Sequence, residues 1–346
     1  MTKVYVGMSG GVDSSLTAAL LVEQGYDVTG VYMKNWTQDL PGMRCPWADD
    51  LADAKRVAVQ LGIDFKVFDF ENEYREKVVE YMIDEYKNGR TPNPDIMCNQ
   101  EVKFKLFLEA SLEDGADMIA TGHYARVKDG VLLQAVDTNK DQTYFLYRVT
   151  GEALKKTLFP LGEFKKPEVR EMAEARGLYT ATKKDSQGIC FVGQIGIREF
   201  LSQYVEQKAG PIIDKQTGEK LGQHDGAIFY TLGQRHGLDV GGGLPYYVVG
   251  KDMDKNEVYV TTNLNDDSLW KPELQVASVH WINGQPNEAT YQVRVRHRAA
   301  LISAKLSYGA DGAVKLELDS PERAVAPGQS VVIYDNEVCL GGGIVV

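Results

Sequence analysis

The chain has 346 residues, more than one ordinary domain holds, so we expect two or three domains. Hydrophobic residues make up 43% and charged residues 25%, as in folded soluble proteins; no apolar run is long enough to span a bilayer, so we expect no membrane partner. The net charge of −11 argues mildly against nucleic acid as a partner, because phosphate contacts need Lys and Arg, although a local basic face would be enough.

The first part of the chain alternates short apolar runs with helical patterns. Strands are predicted at Val4–Met8, Val28–Met33, Phe65–Phe68 and Met118–Thr121. Helices are predicted at Ser14–Gln24, Trp47–Leu61, Glu71–Tyr86 and Phe104–Glu113. This alternation predicts an α/β fold with a parallel sheet and helices on both faces, and ligands of such sheets bind at the carboxyl ends of the strands.

Later segments change in character. An Asp129-Gly130 turn predicts a hairpin over residues 125–133, and helical patterns resume through Asp141–Tyr147 and Lys166–Arg176. After about residue 200 helical periodicity fades, which indicates a small mixed linker domain. From Leu274 onward short strands are predicted, as in a small β-barrel or sandwich, at Val276–Ile282, Tyr291–Arg298, Ile302–Tyr308, Val314–Leu318, Ser330–Tyr334 and Val338–Cys339. We therefore expect domains over residues 1–200, 201–270 and 271–346, the last a β-barrel.

The stretch Ser9-Gly10-Gly11-Val12-Asp13-Ser14-Ser15, here called the phosphate loop, lies between the first strand and the first helix. Its glycines allow a phosphate to approach the backbone, the helix N-terminus favours an anion, and the serines add hydroxyl donors. It is neither a Walker A motif nor a dinucleotide fingerprint. It resembles the SGGxDS loop of the ATP pyrophosphatase superfamily, whose members cleave ATP between the α- and β-phosphates. The alternative is a glycine-rich turn that caps a helix.

The chain has four cysteines and no C-x-x-C pair, which suggests neither a disulfide scaffold nor zinc, and no signal peptide precedes the first strand; a reducing cytoplasm is expected. Pro92 and Pro94 predict a rigid loop around Cys98, and Cys190 lies in a second non-periodic segment. Each of them could instead be a small buried hydrophobe, as Cys339 in its apparent strand is expected to be. Cys45 beside a proline is left open. Two loop cysteines beside an ATP loop suggest sulfur transfer through a persulfide.

Eight segments, in order, carry a wider resemblance. They are GMSGGVDSS, GVYMKNW, TPNPDIMCNQEVKF, ATGHYAR, KDQTYFL, KKDSQGICF, YTLGQRHG and APGQSVVIYDNEVCLGGG. Over essentially its whole length the chain resembles the tRNA-specific 2-thiouridylase family, bacterial enzymes that thiolate the wobble uridine of tRNA. The resemblance implies adenylation of the uridine O2 with ATP, sulfur transfer from a cysteine persulfide, and tRNAs for Lys, Glu and Gln as substrates.

The resemblance also implies roles for individual residues. The ATP phosphates are assigned to Gly7, Met8, Ser9, Gly10, Gly11, Val12, Asp13 and Ser14, with Met33 on the adenine side and Gly122 lining the nucleotide site. Asn93, Pro94 and Asp95 are placed against the target base, with Asp95 a candidate general base. Cys98 is the expected nucleophile and Cys190 the persulfide carrier, with a Cys98–Cys190 disulfide left after release. Contacts to the tRNA anticodon arm are expected from His123, Lys140, Asp141, Gln142, Arg296, His297 and Gln329. A cysteine desulfurase or a sulfur-relay protein is the expected sulfur donor.

Other features bear on these expectations. Asp13 beside a phosphate implies Mg²⁺ as a second cofactor, and no side-chain set is assigned as a resident metal site. Arg294, Arg296 and Arg298 alternate and so share one strand face, which is either a basic stripe for phosphates or a solvated face. Lys183 and its neighbour are expected to lower the pKa of the Cys190 thiol, to contact RNA, or simply to be exposed.

Two other functions remain open at this point. One is a synthetase with the same loop that adenylates a small molecule for an amine or ammonia; the barrel and the two loop cysteines argue against it. The other is a nucleotide-binding regulator or RNA-binding adaptor, against which the retained Asp13, Asp95, Cys98 and Cys190 argue.

Overall fold

The computed structural model describes residues 1–39, 45–184, 196–241, 243–309 and 313–346. The prediction for Cys190 therefore lies outside the described residues. Within these ranges the chain forms a parallel sheet with helices, a four-stranded mixed sheet, and a larger antiparallel sheet that closes on itself. This confirms the predicted α/β class, with a small middle domain and a C-terminal β-barrel.

The first sheet has five parallel strands in the order β3-β2-β1-β4-β7. Its strands are β1 (Lys3–Gly7), β2 (Asp27–Lys34), β3 (Asp64–Asp69), β4 (Met118–Thr121) and β7 (Thr157–Leu158). Its shorter helices are α1 (Val12–Glu23), α2 (Trp47–Leu61), α5 (Thr143–Leu146), α6 (Gly151–Lys155) and α7 (Lys166–Ala175). The central strand β1 is fully buried at Val4, Tyr5 and Val6, as a parallel strand covered on both faces must be.

Two long helices complete this part of the fold. Helix α3 is continuous over residues 71–87, and helix α4 runs over residues 94–113. Between Cys98 and Leu106 the hydrogen bonding of α4 widens to the i to i+5 pattern. The prediction of a proline-held loop around Cys98 is wrong. Pro94 is the first residue of α4, a position where its missing N–H and fixed φ are compatible with a helix, so Cys98 lies within α4.

The middle domain is the sheet β10-β11-β8-β9, preceded by the short helix α8 (Ile197–Leu201). Its strands are β8 (Gly210–Asp214), β9 (Lys220–His224), β10 (Tyr247–Asp252) and β11 (Glu257–Thr261). The β8–β11 pairing is parallel and the other two are antiparallel.

The C-terminal sheet runs in the order β12-β15-β14-β13-β16-β17, and β12 also pairs with β17, which closes the barrel. Its strands are β12 (Trp270–Trp281), β13 (Thr290–Arg294), β14 (Ile302–Tyr308), β15 (Val314–Arg323), β16 (Ser330–Asp335) and β17 (Val338–Val345). The predicted hairpin, β5 (Arg126–Lys128) and β6 (Val131–Leu133), leaves the first domain and pairs with the start of β17. The barrel and the first domain are therefore joined by a shared sheet edge.

One buried apolar cluster contains side chains from all three domains, and a second lies inside the barrel. Two further clusters lie in the first domain. Cys339 belongs to the first cluster on β17 and is 1% exposed, which confirms the expectation of a buried hydrophobe. Among the described residues, no helix combines the length and apolar character needed to cross a lipid bilayer.

Candidate active site

The phosphate loop connects the end of β1 with the start of α1, as predicted. Gly10 adopts a φ of +73°, and a Cβ there would collide with the carbonyl oxygen of Asp50 at the start of α2. Gly122, directly after β4, is equally close, because a Cβ there would lie 2.9 Å from the backbone nitrogen of Ser14. Only glycine fits these two positions, so the loop is clamped between α2 and the end of β4.

Some side chains of the phosphate loop are buried, and its serine hydroxyls form hydrogen bonds within the loop. Met8 and Val12 are 1% and 3% exposed, so only their backbone can face a ligand. The Ser14 hydroxyl accepts a hydrogen bond from the backbone N–H of Ser9 at 3.1 Å. The expected hydroxyl donor Ser15 is fully buried and donates to the carbonyl oxygen of Gly11 at 2.8 Å, so it is used within the helix.

Asp13 is held by two residues that the sequence analysis did not select. The Lys166 ammonium, on the first residue of α7, donates to both carboxylate oxygens of Asp13 at 2.7 and 2.8 Å. The Tyr124 hydroxyl donates to Oδ1 of Asp13 at 2.8 Å, and the Lys166 Nζ lies 5.6 Å from the centre of the Tyr124 ring. Lys166 belongs to none of the motifs named above. The sequence signal at this position is Pro167, which indicates the start of a helix.

The other nucleotide-site predictions lie at the same edge of the sheet. Met33 is near the end of β2, and its Cε would be 2.9 Å from a Cβ added to Gly7 at the end of β1. Gly122 directly follows β4. Three neighbouring strands thus bring Gly7, Met33 and Gly122 to their carboxyl ends, where ligands of open parallel sheets bind.

Helix α4 carries the predicted base and nucleophile. Asn93 caps it, with its Oδ1 accepting from the backbone N–H of Asp95 at 3.1 Å. Burial raises the pKa of the Asp95 carboxyl, and the positive charge of Lys103 offsets part of this shift. Cys98, one turn further along, is 3% exposed. A carboxyl with a raised pKa is a better proton acceptor, which suits a base.

The loop before α4 touches all three domains. The Thr91 N–H donates to the carbonyl oxygen of Pro327 in the barrel at 2.8 Å, and the Thr91 hydroxyl is 3.5 Å from that of Thr231 in the middle domain. A Cβ on Gly328 would lie 2.7 Å from the Thr91 nitrogen. The barrel turn that precedes Gln329 therefore contacts the loop that leads to Asn93. The Gln329 Oε1 accepts from the Ala326 N–H at 3.1 Å.

The segment assigned to tRNA, residues 140–142, is connected to the nucleotide site. Gln142 accepts through Oε1 from the Tyr124 N–H, and its own N–H donates to the Tyr124 carbonyl oxygen, both at 2.9 Å. The Lys140 N–H donates to the side chain of Asp137, whose other oxygen accepts from the Lys166 N–H at 2.9 Å. Gln142 thus bonds directly to Tyr124, and Lys140 and Lys166 both donate to Asp137. These bonds connect residues 140–142 to the two residues that hold Asp13.

Asp141 itself faces the interior. Its side chain is 1% exposed and accepts from Arg294 Nη1 at 3.0 Å, while Arg294 also lies 5.5 Å from the centre of the Tyr334 ring. The expectation that Arg294, Arg296 and Arg298 share an outward strand face is wrong. Strand β13 ends at Arg294, which is buried against the first domain, and Arg298 follows in a left-handed conformation at φ +63°. The direct tRNA contact of the Asp141 side chain stays a prediction.

Arg296 and His297 nevertheless lie beside residues 139–145, which include the segment assigned to tRNA. The Arg296 guanidinium donates to the carbonyl oxygen of Ala324 at 3.0 Å, and the Arg298 Nε donates to that of Asn139 at 3.1 Å. The His297 ring lies 4.5 Å from that of Phe145 in α5. The segment before α5 and the segment after β13 therefore bring together the predicted tRNA contacts Lys140, Gln142, Arg296 and His297.

His123, at the end of β4, is enclosed by aromatic rings. Its ring centre lies 5.5 Å from that of Phe104 in α4 and 6.1 Å from that of Phe159, and its Nδ1 is 2.8 Å from the Thr121 hydroxyl. Burial lowers the pKa of His123 well below 6.5, so the ring is neutral at physiological pH. His123 thus connects α4 with the edge where the phosphate loop lies.

The Lys183 side chain is partly buried and forms two ion pairs. Its ammonium pairs with Asp50 at 2.8 Å and Asp53 at 2.7 Å in α2, and Arg170 donates to its carbonyl oxygen at 3.1 Å. The chain that leads toward Cys190 is therefore anchored on α2, whose Asp50 also contacts the phosphate loop. The effect of Lys183 and its neighbour on the Cys190 thiol, which lies outside the described residues, stays a prediction. Cys45, which was left open, is 7% exposed, and burial raises the pKa of its thiol.

Three family models match the chain in succession. Residues 2–194 match the tRNA methyl transferase HUP domain, residues 198–262 the tRNA methyl transferase PRC-barrel domain, and residues 271–345 the aminomethyltransferase beta-barrel domain. A tRNA-specific 2-thiouridylase MnmA of Lacticaseibacillus paracasei is 48% identical over 99% of this chain and 94% of its own length. Relatives with the same printed description from Bacillus cytotoxicus and Idiomarina loihiensis are 47% and 48% identical, each over 99% of this chain, and 94% and 95% of their own lengths.

Proposed function

The chain belongs to the tRNA-specific 2-thiouridylase family and is an ATP-using tRNA-uridine 2-sulfurtransferase, and on this premise we propose that it thiolates the wobble uridine of tRNAs for Lys, Glu and Gln through a Cys190 persulfide. The observation that carries this proposal is the position of α4. The helix with Asp95 and Cys98 packs through Phe104 onto His123, at the sheet edge where the phosphate loop and Gly122 lie. We therefore place the general base, the nucleophile and the nucleotide at one edge of the sheet.

The first step we propose is adenylation of the target base. The wobble uridine enters unstacked from the anticodon loop, as single-stranded bases are commonly recognised. Its O2 attacks the α-phosphorus of ATP, the N3 proton passes to Asp95, and the bond to the β-phosphate breaks so that pyrophosphate leaves. The raised pKa of Asp95 and its place beside the Asn93 cap support this role.

The second step we propose replaces oxygen by sulfur. The terminal sulfur of a Cys190 persulfide attacks C2, and AMP leaves with the O2 atom. The Cys98 thiolate then attacks the Cys190 sulfur, which releases 2-thiouridine and leaves a Cys98–Cys190 disulfide. Two external thiols reduce that disulfide, and a cysteine desulfurase or a relay protein restores the persulfide. This chemistry requires reduced thiols between cycles, which supports a cytoplasmic location.

Mg²⁺ is the second cofactor that we propose, and Asp13 fits it on chemistry. Mg²⁺ in nucleotide sites takes one or two carboxylates together with substrate phosphates. When bound, it neutralises phosphate charge and lowers the barrier to attack at the α-phosphorus. Asp13 would hold Mg²⁺ through a carboxylate oxygen, and both of these oxygens accept from Lys166 in this structure.

The proposal is tested by the products formed from ATP. With unmodified tRNA for Lys, wild-type protein is expected to release AMP and pyrophosphate in amounts equal to the uridine adenylated. Asp95→Asn is expected to lower this release, and Lys87→Ala, at the end of α3, is the matched surface control. Release that needs an added small molecule but not tRNA would instead identify a small-molecule synthetase. Binding of tRNA without any ATP turnover would identify an adaptor.

A further inference from the structure

The Lys166 ammonium is buried against the phosphate loop, and the steps above do not use it. Its side chain is 10% exposed, and its ammonium donates a hydrogen bond to each carboxylate oxygen of Asp13. We propose that Lys166 is the residue that binds the phosphates of ATP that leave as pyrophosphate, and that Asp13 holds its ammonium in place until the nucleotide arrives. This inference rests on the proposed function in one respect, that ATP binds at the phosphate loop.

Helix stability does not explain the pair. Lys166 is the first residue of α7, where the positive end of the helix dipole disfavours a cation. The Asp137 carboxylate already stabilises that helix end, because it accepts a hydrogen bond from the Lys166 backbone N–H. Asp13 lies in the first turn of α1, where an acidic residue is favourable without a partner. Both charges are thus placed for something other than the helices that carry them.

The surroundings of the pair suit a phosphate. Helix α1 begins directly after the loop, and the first N–H groups of a helix have no partner within it, which favours an anion there. Gly10 and Gly122 let α2 and the end of β4 pack closely against this loop. Tyr124 contacts the pair with a hydroxyl that can donate either to Asp13 or to a phosphate oxygen. The lysine side chain is flexible, so its ammonium can move from the Asp13 carboxylate to a phosphate at the phosphate loop without a change in the backbone.

The two partners are expected to exchange when ATP binds. Lys166 moves from Asp13 to the β- and γ-phosphates, and the Asp13 oxygens become available to a cation. During adenylation the electron pair of the breaking bond goes to the departing pyrophosphate, and the Lys166 ammonium stays with the added negative charge. No proton transfer is required, because the ammonium remains protonated throughout.

Equilibrium binding of inorganic pyrophosphate without Mg²⁺, measured by calorimetry, tests the proposal. Lys166→Met should weaken this binding about 10- to 100-fold, as expected for a lost hydrogen bond between charged groups. Asp13→Asn should strengthen it, because the competing carboxylate is gone, and this gain should disappear in the Asp13→Asn/Lys166→Met double variant. Lys165→Met, which alters the adjacent exposed lysine, should bind as wild type does.

A purely structural salt bridge would give a different pattern. Lys166→Met and Asp13→Asn would then change binding in the same direction, in parallel with a loss of thermal stability, and that result would overturn the proposal. Unchanged pyrophosphate binding in Lys166→Met would overturn it as well, while tRNA-dependent AMP formation by the wild type would leave the sulfurtransferase proposal standing. Should Lys166→Met fail to fold, Lys166→Gln and Asp13→Asn supply the same comparison.

Discussion

The buried ion pair between Arg294 and Asp141 joins the barrel to the first domain, and its removal should have a large and non-additive effect on stability. The side chains are 8% and 1% exposed, and Asp141 also accepts from the Ala135 N–H at 3.0 Å and the Thr143 hydroxyl at 2.8 Å. Removing one member leaves a buried charge without its counterpart. Each of Arg294→Met and Asp141→Asn should therefore cost about 3 kcal/mol in the free energy of unfolding.

The double variant should be much less destabilised than the sum of the two. With both charges gone, no buried charge is left without a counterpart, and we expect a loss of about 2–3 kcal/mol rather than about 6 kcal/mol, a coupling of about 3–4 kcal/mol. Urea-induced unfolding, followed by tryptophan fluorescence, measures these values. Arg298→Met, at an exposed arginine four residues along the chain, is the control and should change stability by less than about 1 kcal/mol.

The same variants separate two roles for Asp141. If its carboxylate acts by holding Arg294, as its burial suggests, Arg294→Met and Asp141→Asn should weaken tRNA binding to the same extent. Additive losses of stability would refute the reasoning about the buried pair. Loss of tRNA affinity in Asp141→Asn alone would instead support the direct contact that the family resemblance implies.

Three further predictions concern single residues. Gly10→Ala should abolish ATP binding, measured by calorimetry, because a Cβ collides with the Asp50 carbonyl at a φ of +73°; wild-type affinity would contradict this. Since the pKa of His123 is lowered well below 6.5, the native state binds fewer protons than the unfolded chain, and stability should fall as the pH drops through 6.5 toward the folded pKa. His123→Gln should flatten this dependence by up to about 1.4 kcal/mol per pH unit in denaturant titrations between about pH 5 and 7, and an unchanged slope would count against it. Because burial raises the pKa of Asp95, single-turnover AMP formation should rise with pH through that raised pKa, whereas Asp95→Asn should be about 10²- to 10⁴-fold slower and lack this rise.

Local patterns were sufficient for much of the first domain and the barrel. The bounds of α2, β4 and β14 agree with the predicted Trp47–Leu61, Met118–Thr121 and Ile302–Tyr308. These segments have one dominant periodicity and end at clear turn or cap signals, such as the left-handed Gly62 after α2. The phosphate loop was predictable for the same reason, because its glycines, serines and aspartate are contiguous.

The errors arose where a distant contact decides the outcome. Pro92 and Pro94 predict a rigid loop, but a proline at the first helical position is compatible with a helix, and Asn93 supplies the cap. Strand spacing predicts that Arg294 shares a face with Arg296 and Arg298, but it does not indicate which face another domain covers. Lys166 lies 153 residues from Asp13 in sequence, so no local pattern could have paired them.

Sulfur transfer into tRNA tests the central claim most directly. The reaction contains the protein, Mg-ATP, unmodified tRNA for Lys, a cysteine desulfurase and radiolabelled cysteine, with Cys98→Ser and Cys190→Ser run beside the wild type and Cys339→Ser as a buried, non-catalytic control. The account predicts label in released tRNA with wild type and Cys339→Ser, and no label in released tRNA with the other two variants. Undiminished labelling by Cys190→Ser would contradict the persulfide mechanism.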